Sequence, residues 1–198
     1  MKRISDIILS LLGIVLLSPF IILFSLLIKL GSRGPVFYRG LRAGKDFAPF
    51  RMLKFRTMVI NAETLGGPST RAGDPRVTRT GAFLRRYKLD EIPQLFNVLV
   101  GDMSLVGPRP EVMEYANLYT EEEKIVYAVR PGITDYASLW NIDEAEALKD
   151  AKTPEETEAL YLKKIRPEKV RLQMQYVKEQ SFGTDMKILF RTLAKLFS

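Results

Sequence analysis

Residues 7–28 read IILSLLGIVLLSPFIILFSLLI, a run of 22 positions without a charged side chain. An α-helix needs about 20 apolar residues to cross the hydrocarbon core of a bilayer. The run is long and has no polar face, which disfavours a helix buried in a soluble core. No small-x-small cleavage site follows it, which disfavours a signal peptide. The stretch therefore predicts a membrane helix that either spans the bilayer or re-enters the leaflet from which it came.

Two features bear on the choice between these topologies. Basic residues occur on both sides of the run, at Lys2, Arg3, Lys29, Arg33, Arg39, Arg42 and Lys45. Because basic loops prefer the cytoplasm, ends on opposite sides of the membrane fit this pattern poorly. Pro19 lacks an N–H and clashes with the carbonyl four residues back, so the helix is predicted to break at Ser18-Pro19, where the Ser18 hydroxyl could bond the freed carbonyl. A re-entrant helix over residues 1–33 satisfies both observations, but prolines also kink spanning helices, so both topologies stay open.

The rest of the chain has no second run of membrane length and predicts a domain over residues 34–184. Apolar and basic residues alternate over Phe50–Met58, which predicts a strand. Helical patterns cover Gly81–Lys88, Ile92–Val100, Glu114–Val129, Ala145–Tyr161 and Glu168–Gln180. The predicted fold class is therefore α+β and mostly helical.

Residues 185–198 form a third segment with an amphipathic pattern. Lys187, Arg191 and Lys195 recur every four residues, and apolar residues that include Leu196 and Phe197 fill the remaining positions. This pattern predicts an interfacial helix in the lipid headgroup layer. The alternative is a helix packed on the core of the domain.

The composition of the 198 residues restricts the chemistry that the chain could perform. It contains no His and no Cys, which excludes His-based triads, thiolate nucleophiles and metal sites built from either residue. Any catalysis must use carboxylates, Lys or Arg, hydroxyls or backbone groups, with Mg²⁺ as the expected metal. Residues 1–100 carry 16 basic and 6 acidic side chains, whereas residues 101–198 carry 14 and 17. The excess of basic side chains in residues 1–100 predicts an anionic partner, which could be nucleic acid, a phosphorylated small molecule or anionic lipid.

Asp90-Glu91 is the first candidate for catalysis. The pair follows the most basic stretch of the chain, with Arg76, Arg79, Arg85, Arg86 and Lys88. Adjacent side chains do not share one helix face, so one carboxylate could attack or bind metal while the other orients groups or handles protons. The alternative is a helix N-terminal carboxylate or a surface ion pair.

Three further sites could bind phosphate. Pro108-Arg109-Pro110 presents one guanidinium from a stiff support, unless it is only a rigid turn with a solvated arginine. Lys54 and Arg56 lie on one face of an extended segment, and Arg130 precedes a restricted Pro-Gly turn. Neither a Walker pattern, nor a glycine-rich dinucleotide spacing, nor a nucleic-acid-binding module is present, so nucleic acid is not expected as a partner.

Taken in order, these segments resemble the small monotopic phosphoglycosyl transferases of the bacterial sugar transferase family. The resemblance rests on the apolar segment with Ser18-Pro19, KFRTM at 54–58, DPRVTRTGAFLRRYKLDEIPQLFNVLVGDMSLVGPRP at 74–110 and RPGIT at 130–134. It implies transfer of a sugar-1-phosphate from a UDP-sugar to polyprenyl (undecaprenyl) phosphate, with release of UMP. This would be the first membrane step of glycoconjugate biosynthesis.

The resemblance also implies roles for particular residues. Asp90 would be the nucleophile that forms a covalent phosphosugar-aspartyl intermediate and would also bind Mg²⁺, with Glu91 as its partner in the dyad. The implied substrate-binding residues are Lys54, Arg56, Arg85, Pro108, Arg109, Pro110 and Arg130. The helix would be re-entrant, and the catalytic domain would lie on the cytoplasmic face of the bacterial inner membrane among membrane lipids. A homodimer and downstream glycosyltransferases are candidate partners.

After RPGIT the sequence departs from the family pattern. Many members continue with a glycine and end the segment in Asn-Gly-Arg, whereas this chain reads DYASLWN at 135–141. The identity of the sugar therefore does not carry over. Two rival functions stay open: a membrane-associated phosphohydrolase, in which water resolves the intermediate, and a non-catalytic basic membrane adaptor.

Overall fold

The computed structural model of the protein describes residues 1–67, 69–141 and 143–196. Within these residues the α-helices are α1 (Lys2–Gly31), α2 (Arg79–Arg86), α3 (Gln94–Val100), α4 (Met113–Ala116), α5 (Tyr136–Trp140), α6 (Glu144–Ala147), α7 (Pro154–Leu160), α8 (Arg166–Glu179) and α9 (Phe182–Leu196). The strands are β1 (Phe37–Ala43), β2 (Pro49–Phe55), β3 (Ser104–Val106) and β4 (Gly132–Thr134). The predicted fold class, α+β and mostly helical, is confirmed.

The long helix α1 has 30 residues and is the one helix in the described part of the chain that is long and apolar enough to cross a membrane. It continues through Pro19, so the break predicted at Ser18-Pro19 does not interrupt the helix. Pro19 has no N–H to donate to the carbonyl of Val15, four residues earlier. The Ser18 hydroxyl donates to that carbonyl instead, at 2.8 Å. This bond replaces the missing backbone hydrogen bond and lets the helix continue.

One face of α1 packs along the domain, and the other face is exposed. Phe24 and Ile28 are buried with Phe55 and Leu84 in a shared apolar cluster. The exposed face consists of large apolar side chains, among them Ile8, Leu12, Val15, Leu16, Ile22, Leu26 and Leu30. A continuous apolar face of this size is typical of a helix that contacts lipid.

The charged residues at the amino end of α1 bind the domain. Lys2 Nζ donates to Val106 O at 2.8 Å and to Asp185 Oδ2 at 2.5 Å. Arg3 donates to two carbonyls at the end of α3, those of Val98 and Leu99. Asp6 accepts from a hydroxyl and a backbone N–H of β3, those of Ser104 and Leu105. The two cations at this end of α1 therefore fasten the helix to the domain.

Two small sheets position the loops of the domain. β1 and β2 form an antiparallel hairpin that runs from the pair Phe37–Phe55 to the pair Ala43–Pro49. β3 and β4 are parallel and pair Ser104 with Gly132 and Val106 with Thr134. Where the segment after β3 crosses β4, a Cβ on Gly132 would lie 2.0 Å from the backbone nitrogen of Gly107, so both positions require glycine. The sequence predicts only turns in these two segments, because three-residue strands are too short to show a periodic pattern.

Two of the predicted helices are wrong in extent. Glu114–Val129 is divided into α4 and a 3-10 turn at Glu123–Ala128. The interruption is a capping box, in which the Thr120 hydroxyl accepts from the Glu123 N–H and the Glu123 carboxylate accepts from the Thr120 N–H. Ala145–Tyr161 is divided into α6 and α7, because Thr153 caps a new helix that has Pro154 in its first turn.

The amphipathic helix α9 packs on the core of the domain, which is the second alternative for the C-terminal segment, and its location in the lipid headgroup layer stays a prediction. Ile188 on its inner face is buried with Val106 and Tyr176, and Lys195 Nζ donates to Leu139 O at 2.7 Å. Phe190 on the other face is exposed. The helix therefore packs on the domain and still offers an apolar strip to its surroundings. Phe197 and Ser198 lie outside the described residues, and the boundaries 1–33, 34–184 and 185–198 stay predictions.

Candidate active site

An open cavity of about 1790 Å³ lies between the β1–β2 hairpin, α2, the loop after β3 and α5. Most of the residues that the sequence singles out line this cavity, namely Lys54, Arg56, Arg85, Asp90, Glu91, Arg109 and Pro110. Residues separated by more than 50 positions in the chain thus meet in one place. Such convergence of polar groups in a cleft is typical of an enzyme site.

Asp90 and Glu91 occupy a tight turn between two helices. The hydroxyl of Thr78 caps α2 by accepting from the Gly81 N–H at 3.0 Å. After α2 the backbone of Lys88 adopts a left-handed conformation with φ 56°, and a 3-10 turn at Leu89–Glu91 follows. The dyad is therefore held by backbone on both sides.

Glu91 is bound by two cations. Its carboxylate accepts from Lys54 Nζ at 2.8 Å and from Arg109 Nη1 at 3.0 Å, with a further bond from Arg109 Nη2. Burial alone would raise the pKa of Glu91, but the charges of Arg109 and Lys54 outweigh it and hold the pKa well below its usual range. Glu91 is therefore an ionised carboxylate that positions the two cations.

Asp90 differs from Glu91 in its hydrogen bonds and in the direction in which its pKa is shifted. The side chain is buried, with 8% of the residue exposed, and it accepts no hydrogen bond from any residue that the structure describes. Burial raises the pKa of Asp90, while the charge of Lys54 opposes this shift and the charge of Glu91 adds to it. Its oxygens are thus poorly solvated and face the cavity without a partner, which suits a nucleophile. Two adjacent carboxylates whose pKa values are shifted in opposite directions indicate divided roles.

Arg85 supplies a cation next to Asp90. Its Nε donates to the Thr57 hydroxyl at 2.8 Å, and neither terminal guanidinium nitrogen has a hydrogen-bond partner within the described ranges. Burial lowers the pKa of Arg85, although the charges of Asp90 and Asp74 partly oppose this shift. A guanidinium that is held at one nitrogen and free at two is suited to bind a phosphate group.

Arg56 has a different partner from the one that the sequence suggests. Its guanidinium donates to Arg33 O at 2.5 Å, to Ser32 O at 3.0 Å and to the Ser32 hydroxyl at 2.7 Å. These acceptors follow the last turn of α1, where carbonyl groups lack helical partners. Arg56 lines the cavity, but its terminal nitrogens are used to hold the end of α1.

Pro108 and Arg130 are predicted site residues that do not line the cavity. Arg130 Nε donates to Gly101 O at 2.8 Å, and its side chain is exposed. The two arginines differ in their partners: the Arg109 guanidinium binds Glu91 in the cavity, whereas Arg130 binds a carbonyl outside it. The backbones of the two segments nevertheless lie close together, because the segment after β3 crosses β4 at Gly107. Pro108 contributes its carbonyl, which accepts from the Gly132 N–H at 3.0 Å.

Asp135 is a site residue that sequence reasoning missed. It is fully buried and accepts from the Ser138 N–H at 2.7 Å and from the Arg109 N–H at 3.3 Å. Gln173 Nε2 donates to the carbonyl of Arg109 at 3.2 Å, so this arginine is held on both sides of its backbone. The Asp-x-x-Ser spacing at 135–138 is a helix-capping signal that could have indicated the cap, but not the bond to Arg109.

A resident metal would have few protein ligands in this cavity. The described residues contain no group of three or more Asp or Glu side chains arranged to hold an ion. Mg²⁺ commonly uses one or two carboxylates and completes its shell with substrate phosphates and water. Asp90, with free carboxylate oxygens at the cavity, fits this way of binding.

The exposed apolar helix and the cavity, with its buried carboxylates and cations, are features typical of a membrane-associated enzyme that binds an anionic ligand. A family model described as bacterial sugar transferase matches residues 1–198, and the chain belongs to this family. The resemblance inferred from the sequence is therefore confirmed.

Curated relatives carry specific names. The chain is 37% identical over 202 residues to a UDP-glucose:undecaprenyl-phosphate glucose-1-phosphate transferase of Escherichia coli, which covers all of this chain and 40% of the relative. It is 36% identical over 200 residues to a UDP-N-acetylgalactosamine-undecaprenyl-phosphate N-acetylgalactosaminephosphotransferase of Aeromonas hydrophila, across the whole chain and 44% of that relative. A glucose-1-phosphate transferase of Caulobacter vibrioides is also 36% identical over 200 residues, here across the whole chain and 70% of the relative. The chain thus spans less than half the length of the first two relatives.

Proposed function

We propose that the protein is a phosphoglycosyl transferase that moves a sugar-1-phosphate from a UDP-sugar to polyprenyl phosphate, such as undecaprenyl phosphate, and releases UMP. The observation that carries the proposal is the contrast within the dyad: Asp90 accepts no hydrogen bond from the residues that the structure describes, and Glu91 is bound by Lys54 and Arg109. The names of the relatives, all undecaprenyl-phosphate transferases, support the choice of substrates.

The reaction has two steps at one phosphorus atom. An Asp90 carboxylate oxygen attacks the phosphorus that bears the sugar, a new O–P bond forms, and the bond to the oxygen of UMP breaks. An oxygen of the lipid phosphate then attacks the same phosphorus, the bond to Asp90 breaks, and a polyprenyl diphosphate sugar leaves. Asp90 returns to its carboxylate form, so atoms and charges balance over the cycle.

The cations of the cavity make this attack possible. A carboxylate and a diphosphate repel each other, and the low dielectric of a buried site strengthens that repulsion. Arg85 offers two nitrogens that have no partner among the described residues, while Glu91 holds Arg109 and Lys54 beside the nucleophile. Phosphoryl transfer depends mainly on positioning and charge neutralisation, which Arg85, Arg109 and Lys54 supply.

Mg²⁺ is the proposed cofactor, with Asp90 as its protein ligand. When bound, it would neutralise the diphosphate and stabilise the charge that develops on departing UMP. Arg85 and Arg109 would hold the remaining phosphate oxygens.

We expect the full-length protein, purified in lipid nanodiscs, to release UMP from at least one member of a panel of UDP-sugars when polyprenyl phosphate is present. UMP and lipid-linked sugar are expected in equal amounts, because one donor is consumed for each acceptor. Release of free sugar-1-phosphate in place of the lipid product would identify a phosphohydrolase. Absence of turnover with every donor would favour a binding protein.

The contacts at both ends of α1 support a re-entrant topology. The amino end is bound through Lys2 and Arg3, and the carboxyl end through Arg56, all to the same domain. A straight helix of 30 residues would be about 45 Å long, enough to carry its ends to opposite sides of a bilayer. Because both ends contact one domain, the proposal puts them on one side, on the cytoplasmic face of the bacterial inner membrane. A homodimer and downstream glycosyltransferases stay predictions from the family resemblance.

The topology can be tested by thiol labelling, because the chain contains no cysteine of its own. A single cysteine placed ahead of Met1 is expected to react with a membrane-impermeant maleimide in inside-out vesicles but not in intact cells. Lys45→Cys, on the exposed surface of the domain, serves as the cytoplasmic control. Labelling of the amino-terminal cysteine in intact cells would contradict the re-entrant model and favour a spanning helix.

A further inference from the structure

Helix α5 brings a chemically distinct wall to the cavity. The segments that follow β3 and β4, with Arg109 after β3 and α5 after β4, lie together: Arg109 Nη1 donates to Ile133 O at 3.5 Å. Asp135 joins the two segments, because it caps α5 and also accepts from the Arg109 N–H. Whatever lies against Arg109 is therefore within reach of the end of α5.

Trp140 is the last residue of α5 and the one tryptophan of the 198-residue chain. Its side chain lines the cavity and is 46% exposed. A large aromatic ring that is half exposed in a cleft offers a flat apolar surface to a ligand. Two contacts hold this region in place, the cap by Asp135 and the bond from Lys195 Nζ to Leu139 O.

The residues that follow Trp140 are polar or acidic. Asn141, Asp143 and Glu144 all line the cavity. The side-chain nitrogen of Asn141 is buried and has no hydrogen-bond partner within the part of the chain that the structure describes. The charge of Glu91 and, more weakly, that of Glu144 raise the pKa of the Arg109 guanidinium. Glu144 also forms an ion pair at 3.7 Å with Lys169 Nζ, another residue that lines the cavity.

This wall suits one portion of a nucleotide-sugar better than the others. Carboxylates repel a diphosphate, and they accept hydrogen bonds but cannot donate them. A uracil ring has two carbonyl acceptors and a single N–H donor, whereas a sugar has several hydroxyl donors around a ring with an apolar C–H face. An aromatic ring beside an amide and two carboxylates matches the apolar face and the hydroxyl donors of a sugar.

We infer that Trp140 and Asn141 form the subsite for the sugar ring of the donor, with Trp140 stacked on its C–H face and the Asn141 amide bound to a ring substituent. The inference rests on the proposed function and extends it to donor selection. It uses the segment at 135–141, where the sequence departs from the family pattern.

The single tryptophan makes the inference measurable without turnover. In the nanodisc-embedded protein, a UDP-sugar that the enzyme uses is expected to change Trp140 emission, because the sugar would cover the indole. UMP at a concentration that inhibits turnover is expected to leave the emission unchanged. An equal change with UMP would overturn the inference in favour of base stacking. Strong quenching by brominated lipids would overturn it in favour of a lipid contact.

Kinetics of variants give a second readout. Trp140→Ala is expected to raise KM for the preferred UDP-sugar roughly tenfold, with a smaller effect on kcat, while Trp140→Phe keeps most of the affinity. The inhibition constant of UMP should not change in either variant. Phe182→Ala is the matched control, because Phe182 is 51% exposed and does not line the cavity. Asn141→Ala is expected to alter the ratio of kcat/KM between two UDP-sugars that differ at one ring substituent.

The two proposals fail in different ways. If the wild-type protein releases no UMP from any donor, the proposed function is wrong. If it does release UMP but Trp140→Ala leaves KM unchanged, or raises the inhibition constant of UMP in parallel, the subsite is wrong and the transferase function stands.

Discussion

Asp90→Asn is expected to slow UMP release by about 10⁴-fold or more, because an amide cannot form the acyl-phosphate bond. Glu91 cannot take its place, since both of its oxygens are bound by Lys54 and Arg109. The direct measurement is intact mass after mixing the protein with the UDP-sugar and no acceptor. The wild-type chain should gain the mass of one sugar phosphate, and Asp90→Asn should gain none.

Two further variants make this result specific. Glu91→Gln is expected to react slowly but still to acquire the adduct, because Glu91 positions cations and does not attack. Asp46→Asn is the control for the substitution itself: Asp46 is exposed and has φ 54°, a left-handed conformation that asparagine also tolerates. If Asp90→Asn kept the adduct and Glu91→Gln lost it, the roles within the dyad would be reversed.

Arg109→Lys is expected to lower kcat by about 10²- to 10³-fold although the charge is kept. Arginine reaches both oxygens of Glu91 and retains donors for a phosphate, whereas a lysine ammonium acts as a point charge. The measurement is steady-state UMP release, with the adduct formed per protein as a check that the site still assembles.

The matched control for this variant is Arg130→Lys. Both arginines adjoin proline, but the Arg130 side chain is exposed, does not line the cavity and donates to Gly101 O. We expect its effect on kcat to stay within about twofold. Equal losses in the two variants would contradict the assignment of Arg109, and not of Arg130, to the site.

The sequence predicts elements whose cause is local. The apolar run predicts α1, and the chemistry of proline indicates that Ser18 could bond a freed carbonyl, which it does, although the predicted break of the helix does not occur. Asp90, Lys54 and Arg109 can be recognised in the sequence because a carboxylate that attacks a diphosphate needs cations beside it. All three residues line one cavity. The helices α2, α3 and α8 follow from their periodicity.

Other features depend on contacts between distant segments and leave little trace in the sequence. Arg130 resembles Arg109 in its local surroundings, and only their distant partners, Gly101 for Arg130 and Glu91 for Arg109, distinguish them. Arg56 resembles Lys54, but the end of α1 is its partner. Lys2 and Arg3 resemble ordinary charges beside a bilayer, yet their partners lie about 100 or more residues away along the chain. A pattern read over a short window cannot contain such partners.

The bond between Lys2 and Asp185 also has a consequence for biosynthesis. The helix α1 leaves the ribosome before its partner Asp185, which follows Lys2 by 183 residues. α1 therefore meets lipid while Lys2 still lacks this partner, and the final closure of the chain must wait for α9. Lys2 also donates to Val106 O, so its two bonds join the amino end of α1 to β3 and to α9. This end of the apolar helix is therefore fixed on both sides only after α9 has been synthesised.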